Sequence, residues 1–253
     1  MSRGWKKGWR SIGVLILFFA IWEAVGRWGN IPAWLLPTPS RIVNAAIEVK
    51  STFSEHLLST LQLTFTGFLI GITFGLMIAI ILHLLPGVRE AVYPLLILSQ
   101  NVPIIVLAPL LVIWFGFGIL PKLIVITLVC FFPVAVATLD GFQQTAPELR
   151  HYMAMAGASK WQMFWKLEFP YALPSIFSGL KISATYSVMG AVISEWLGAK
   201  AGIGVFMTLA SSSFRTDRVF VAIMAIMLFS LLFFWSIVLL EKLVVRWKED
   251  EDA

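Results

Sequence analysis

One uninterrupted apolar stretch constrains the fold of this chain more than any other feature. From His56 to Val88 there are 33 residues without an aspartate, glutamate, lysine or arginine. A helix needs about 20 mostly apolar residues to cross the hydrocarbon core of a bilayer. Only 13% of the 253 residues are charged, whereas 59% are hydrophobic, which leaves too little polar surface for a soluble domain of this length. The sequence therefore predicts an integral membrane protein of the all-α class.

Apolar runs recur along the whole chain and predict six transmembrane helices in a single domain. The predicted spans are 12–28, 61–85, 91–115, 122–139, 175–197 and 219–240. The third contains Pro94, Pro103 and Pro109, so it must be kinked or partly broken, and its freed carbonyls must face protein or a water-filled cavity. Gln100 and Asn101 lie beside Pro103, which makes all three candidates for lining a pathway. The alternative is that the two amides only hydrogen-bond to a neighbouring helix.

Three glycines, Gly67, Gly71 and Gly75, recur every four residues within the second span. At this spacing they lie on one face of a helix, where small residues let two helices approach closely in lipid. Either packing within one subunit or a dimer contact would use such a face. We favour packing within the subunit.

The positive charges predict the side of the membrane on which the termini lie. Six spans place both termini on the same side. If that side is the inside, the inner segments hold eleven lysines and arginines and the outer segments hold seven. Because positive residues are enriched in cytoplasmic loops, we expect both termini and the polar segment 140–174 to be cytoplasmic.

The segment 140–174 is the longest patterned interruption between the apolar runs. At helical spacing, six of its residues fall near one face: Met153, Ala156, Gly157, Trp161, Phe164 and Trp165. The pattern predicts a short surface helix with Gly157 at its middle, where glycine costs about 1 kcal/mol relative to alanine. That cost indicates that another molecule approaches the backbone closely at Gly157. The alternative is an interfacial helix that only anchors the segment to lipid.

The same segment carries a motif. Gly157 is followed by nine residues and then by Leu167-Glu168-Phe169-Pro170. This spacing resembles the cytoplasmic coupling motif in the membrane subunits of ATP-binding-cassette importers, commonly written Glu-Ala-Ala, three residues, Gly, nine residues, Ile-x-Leu-Pro. His151-Tyr152-Met153 stand where Glu-Ala-Ala is usual, so the contact of that glutamate with the ATPase is not carried over to this chain.

The resemblance extends over most of the chain. Three segments resemble the subgroup that imports nitrate, alkanesulfonates, taurine and thiamine-precursor pyrimidines: L-L-P-T-P-S-R at 35–41, L-A-P-L-L-V-I-W-F-G-F-G at 107–118 and F-F-P-V-A-V-A-T-L-D-G at 131–141. A fourth segment is most similar to the pyrimidine-precursor permeases: S-E-W-L-G-A-K-A-G-I-G-V-F-M at 194–207.

The resemblance implies a type I importer permease in a bacterial inner (plasma) membrane. Two membrane subunits, expected to be two copies of this chain, would form the pathway above a cytoplasmic dimer of ATPases. An extracytoplasmic binding protein would deliver the solute, a thiamine-precursor pyrimidine or, alternatively, nitrate, an alkanesulfonate or taurine. A coupling helix around 154–161 would dock in a groove of the ATPase. The residues expected at this contact are Glu148, His151, Ala154, Gly157, Ala158, Ser159, Lys160, Trp161 and Pro170.

Catalysis and cofactor binding are not expected of this chain. It has no G-x-x-x-x-G-K-[ST] phosphate loop, so ATP and Mg²⁺ are expected on the partner ATPase and no cofactor on this chain. Its histidines, His56, His83 and His151, are far apart in the sequence and indicate no metal site. The basic residues lie between apolar runs rather than in one patch, so we expect membrane lipid and not nucleic acid as a partner.

The fifth span supplies four further candidates for the pathway or a gate. Tyr186, Ser187 and Met189 lie at its middle, and Glu195 lies near its outer end. An acidic residue in a transmembrane segment is commonly functional, which favours a role for Glu195 at an outer gate or facing the binding protein. The alternative is that Glu195 meets lipid headgroups or pairs with Lys200 or an arginine of the same loop.

Two other classes of membrane protein predict features that are not evident in this sequence. A stand-alone channel or ion-coupled carrier predicts acidic residues at mid-membrane or inverted repeats, and neither is evident in the sequence. A membrane enzyme needs a convergent nucleophile, base or metal set, and the sequence shows no such set.

Overall fold

The computed structural model describes residues 5–29 and 31–245, and in this part of the chain it contains eleven α-helices, one π-helical segment and no β-strand. The all-α class is confirmed. The helices are α1 (Trp5–Trp28), α2 (Pro39–Glu48), α3 (Lys50–Leu84), α4 (Pro86–Ser99), α5 (Ile104–Phe115), α6 (Ile119–Gln143), α7 (Pro147–Met155), α8 (Lys160–Met163), α9 (Phe169–Glu195), α10 (Ile203–Ser212) and α11 (Thr216–Val244). The π-helical segment (Phe164–Glu168) joins α8 to α9.

Among the described residues, four helical runs are long and apolar enough to cross a membrane: α3, α6, the continuous run from α8 to α9, and α11. A fifth unit consists of α4 and α5, which are bent by 98° relative to each other. The predicted third span, 91–115, is therefore not one helix. Pro103 precedes α5 directly and has no backbone donor, so the helical bonds of α4 cannot continue through it. The predicted first span, 12–28, lies within α1.

The centre of the bundle is the packing of α3 and α9 against α6. The glycine stripe of α3 makes this packing possible, because a Cβ at Gly71 would lie 2.6 Å from the Cβ of Cys130 and 2.9 Å from the carbonyl oxygen of Thr127. A Cβ at Gly67 would lie 2.6 Å from the side chain of Ile126. The stripe therefore serves packing within the subunit, as the sequence analysis favoured.

The two ends of the bundle carry most of its polar contacts. One end holds α7 and α8, and we call the opposite end, with α2, α10 and the start of α3, the distal end. At the distal end, Arg215 and Arg218 donate hydrogen bonds to Glu48 at 3.2 and 2.8 Å and join α2 to the start of α11. These two bonds hold the pKa of the Glu48 carboxyl below its ordinary value.

The α3–α6 contact leads to a testable prediction. We expect Gly71→Ala to destabilise the protein by about 1–3 kcal/mol, because the added methyl group overlaps the backbone and Cβ atoms of α6. The measurement is thermal unfolding of the purified chain in detergent. Gly87→Ala is the matched control, since nothing lies within 4 Å of a Cβ at Gly87 in α4. Equal unfolding temperatures for the two variants would contradict the packing assigned to the stripe.

Candidate functional site

The polar segment between α6 and α9 folds as two short helices, with Gly157 between them. Gly157 has a φ of 78°, and its N–H donates to the carbonyl oxygen of Ala154 at 3.0 Å. The N–H of Ala158 donates to the carbonyl oxygen of Met153, also at 3.0 Å. These two bonds around a left-handed residue form a Schellman motif, which ends α7.

The prediction of a helix around 154–161 with Gly157 at its middle is therefore wrong. Nothing lies within 4 Å of a Cβ built at Gly157, so no contact inside this chain requires a glycine there. Its backbone conformation does, because most side chains are disfavoured at that φ. A glycine inside an amphipathic pattern and a glycine that ends a helix give the same sequence signal, and the second reading is the correct one here.

Ser159 starts the second short helix. Its hydroxyl accepts from the N–H of Gln162 at 3.2 Å, and the Gln162 side chain accepts from the N–H of Ser159 at 2.8 Å. This reciprocal pair is a capping box, which satisfies two N–H groups at the helix start. From Lys160 the chain remains helical through the π segment to Glu195. The start of α8 is thus continuous with a helix long enough to cross a membrane.

The residues predicted to contact a partner ATPase lie on the surface of this segment. Seven are exposed, and Ala158 and Pro170 are half-buried; the exposed ones are Glu148, His151, Ala154, Gly157, Ser159, Lys160 and Trp161. Beside them, Leu149, Tyr152 and Met155 recur every three residues along one side of α7 and are also exposed, Met155 by 82%. The sequence analysis missed these three, although their spacing was a usable signal. Exposed apolar residues rimmed by polar ones are typical of a protein contact.

A cluster of four residues, which we call the anchor cluster, ties this segment to the bundle: His83, Phe142, Arg150 and Glu168. The carboxylate of Glu168 lies 3.1 Å from Nε of Arg150 and 2.8 Å from Nε2 of His83. Arg150 also donates to the carbonyl oxygen of Phe142 at 2.7 Å, and the rings of His83 and Phe142 stack at 4.3 Å. The cluster thereby links α7, the π segment, α3 and α6. Sequence analysis did not find it, because contacts between residues so far apart leave no local pattern.

A second polar cluster lies at the distal end around Glu195, whose side chain is buried. Its carboxylate accepts from the Thr60 hydroxyl at 2.7 Å and from the N–H of Gly204 at 2.8 Å. The Thr60 hydroxyl in turn accepts from the N–H of Ile203 at 2.8 Å. The alternative that Glu195 pairs with Lys200 or reaches headgroups is wrong. The carboxylate instead lies at the N-terminus of α10, where a negative charge is favoured.

The glycine-rich loop before α10 is shaped by this contact. Gly202 has a φ of 131°, and a Cβ added there would overlap the carboxyl group of Glu195. A Cβ at Gly204 would lie 2.5 Å from the carbonyl oxygen of Val192. Both glycines are therefore needed for the loop to close over the carboxylate. We call Thr60, Glu195 and residues 202–204 the Glu195 cluster.

The other pathway candidates are not gathered in one place. Gln100 and Asn101 are exposed at the α4–α5 break, where the Asn101 side chain donates to the carbonyl oxygen of Ile97 in α4 at 2.8 Å. Pro103, also exposed, is the N-cap of α5. No hydrogen bond in the described part of the chain joins these residues to the candidates on α9.

On α9, the three mid-helix candidates differ in their surroundings. Ser187 is buried and donates to the carbonyl oxygen of Ala184 in its own helix at 2.8 Å. Tyr186 and Met189 are exposed. Met189 lines a mainly apolar groove of about 520 Å³ between α9 and α11. Only Tyr186 and Met189 of these three are therefore accessible from outside the subunit.

Comparison with known proteins identifies related sequences. Residues 71–246 match the protein family described as "Binding-protein-dependent transport system inner membrane component". Over 237 residues the chain is 36% identical to the formylaminopyrimidine transport permease protein ThiX of Halalkalibacterium halodurans, covering 93% of this chain and 94% of that protein. Over 245 residues it is 30% identical to the riboflavin transport system permease protein RibX of Chloroflexus aurantiacus, covering 95% and 91%.

A solved structure shares the fold. It is a crystal structure of an amino acid ABC transporter with histidines, which superposes with a TM-score of 0.62 and covers 80% of this chain and 96% of that one. The sequence identity is 18%, so this likeness concerns the fold alone. The match includes the type I permease arrangement of apolar helices.

The Glu195 cluster generates a second prediction. We expect Glu195→Ala to destabilise the distal end by about 1–3 kcal/mol, because the N–H of Gly204 and the hydroxyl of Thr60 lose a buried acceptor. Thermal unfolding and amide hydrogen exchange over 198–204 measure the effect. Glu55→Ala, at an exposed position of α3, is the control. Unchanged exchange in the Glu195 variant would show that the carboxylate does not hold the loop.

Proposed function

We propose a function for this chain from its family membership. The chain belongs to the family of inner membrane components of binding-protein-dependent transport systems. The chain is a permease subunit of an ATP-binding-cassette importer and a multi-pass protein of the inner membrane. In this family the ATPase is a separate subunit and a binding protein supplies the solute.

The segment from α7 to α8 is the part of the chain that couples transport to ATP hydrolysis. The observation that carries this proposal is the exposed side of α7, where Leu149, Tyr152 and Met155 stand beside the polar residues predicted to contact the ATPase. An apolar strip of this kind suits a groove of a partner protein better than water. ATP and Mg²⁺ bind to that partner, and this chain binds no cofactor.

Movement of this segment reaches the bundle by two routes. The first is the continuous helix from Lys160 to Glu195. The second is the anchor cluster, in which the contacts of Arg150 and Glu168 transmit movement of α7 to α3 and α6. When the ATPase dimer closes, α7 and α8 move as a rigid body, and the helices that they hold switch the pathway between its inward-facing and outward-facing states.

The assembly contains two copies of this chain, with both termini in the cytoplasm. The orientation is supported by the excess of lysines and arginines on the side that carries the termini and the segment 140–174. It places α7 and α8 in the compartment that contains ATP, and it places the Glu195 cluster and the distal end toward the binding protein. Glu195 then holds a loop near the outer gate.

The solute is a thiamine-precursor pyrimidine, with nitrate, an alkanesulfonate or taurine as the alternatives. The relative at 36% identity, whose name specifies formylaminopyrimidine, supports the first choice. The similarity over 194–207 supports it less than the sequence analysis suggested. Its glycines at 202 and 204 are required by the packing around Glu195, so these positions report the fold of the loop rather than the solute.

A third prediction tests the coupling role of the segment. In proteoliposomes with the ATPase and the binding protein, we expect Gly157→Val to abolish ATP-dependent uptake while the variant reaches the membrane at a normal level. A β-branched residue at this φ costs of the order of 1–3 kcal/mol, which alters the end of α7, whereas no core contact is disturbed.

Two further variants give this experiment its controls. Gly157→Asn should retain more uptake than Gly157→Val, since asparagine tolerates the left-handed conformation. Gly87→Val, at a glycine with open space around it, should leave uptake unchanged. Normal uptake by Gly157→Val would contradict the coupling role of this segment.

A further inference from the structure

A cavity at the distal end is not used by either of the clusters described above. It has a volume of about 820 Å³ and lies between α3, the start of α6 and the loop that follows α9. Polar side chains from all three elements line it: Ser59, Gln62 and Thr66 from α3, Lys122 from α6 and Lys200 from the loop. The cavity therefore combines two positive charges and neutral hydrogen-bonding groups with apolar side chains, Leu63, Phe117 and Ile119.

Lys122 stands where a cation is unfavourable. It is in the first turn of α6, where the unpaired N–H groups and the helix dipole already give a partial positive charge. The N-cap residue, Gly118, supplies no side-chain hydrogen bond to these groups. The lysine side chain is half-buried, so water compensates its charge only in part. This arrangement is favourable only if negative charge comes close.

The protein itself does not supply a direct counter-ion. Within the described residues, no carboxylate lies within 4.0 Å of the ammonium groups of Lys122 or Lys200. Glu195 attracts Lys122 through space, but its two oxygens accept from Thr60 and Gly204 and remain with their own cluster. The positive charge that Glu195 does not offset is available to a ligand.

We propose that this cavity binds an oxoanion group, a sulfonate, sulfate or phosphate, between Lys122, Lys200 and the start of α6. The first turn of the helix provides N–H donors, and the lysines provide charge-assisted hydrogen bonds. Ser59, Gln62 and Thr66 supply neutral contacts on the opposite wall. The group belongs either to a lipid headgroup or to one of the anionic solutes that are the alternatives to the pyrimidine, such as an alkanesulfonate or taurine. Reading it as a solute rests on the proposed transport function.

Direct binding of labelled sulfate to the full-length chain tests this site. The chain is purified in a maltoside detergent, which contains no phosphate, and equilibrium binding of sulfate is measured at constant ionic strength. We expect saturable binding that weakens roughly ten-fold or more in Lys122→Gln, because a charge-assisted hydrogen bond is lost. Lys122→Arg should retain the binding, and Lys200→Gln should weaken it less because that side chain is exposed.

Lys50→Gln is the matched control, since Lys50 is an exposed lysine at the start of α3 outside the cavity. Its sulfate binding should equal that of the unchanged chain. An absence of saturable binding would overturn the proposal, and so would equal weakening in the Lys50 and Lys122 variants, which would indicate general charge attraction. Saturable binding of a neutral aminopyrimidine in the same cavity, with none of sulfate, would also overturn it.

Added phosphatidylglycerol distinguishes the two sources of the oxoanion. If this lipid displaces sulfate, the occupant is a headgroup; if sulfate remains bound, the occupant is a soluble anion. The binding measurement needs no ATPase and no binding protein. It can therefore fail while ATP-dependent uptake is intact, and it can succeed if the coupling proposed above is wrong.

Discussion

The carboxylate of Glu168 holds the surface helices to the rest of the protein. It lies between the guanidinium group of Arg150 and the imidazole of His83, in surroundings where its side chain is only 12% exposed. A carboxylate that is so little hydrated is stable only with such partners, and removal of one partner from a buried pair is strongly destabilising. Because Arg150 is on α7 and His83 is on α3, neither helix can shift without disturbing the other. The position of α7 therefore depends on the state of the bundle.

The need of a buried carboxylate for polar partners also accounts for the structure of the distal end. Glu195 lies in an apolar helix, and its carboxylate accepts from the Thr60 hydroxyl and from the N–H of Gly204 in the first turn of α10. The loop that delivers those groups contains glycines at the positions where any side chain would collide with the carboxylate or with α9. At each end of the bundle, a carboxylate thus organises a connecting segment. The exposed side of α7 and the loop at the distal end are joined by helices fixed at both ends.

Sequence reasoning predicted the parts of this fold that depend on local composition. Long apolar runs identified the membrane class and the main helices, and the spacing of Gly67, Gly71 and Gly75 identified a close helix contact. It misread Gly157, because a glycine that ends a helix resembles a glycine within one. It could not find the pairing of His83 with Glu168 or of Thr60 with Glu195, because these contacts form only when distant segments fold together. The spaced motif indicated the family, whereas the contacts that hold this segment to the bundle join residues far apart in the sequence.

A cysteine cross-linking experiment tests the central claim, that the exposed side of α7 contacts an ATPase. The natural cysteine, Cys130, is buried and does not compete. Met155→Cys, at the most exposed apolar position of α7, should form a cross-link to the ATPase subunit in the assembled transporter, and nucleotide should change its yield. Leu209→Cys, exposed on α10 at the distal end, should form none. The account would be contradicted if Met155→Cys formed no cross-link in a complex that hydrolyses ATP. Equal cross-linking from both positions would contradict it as well.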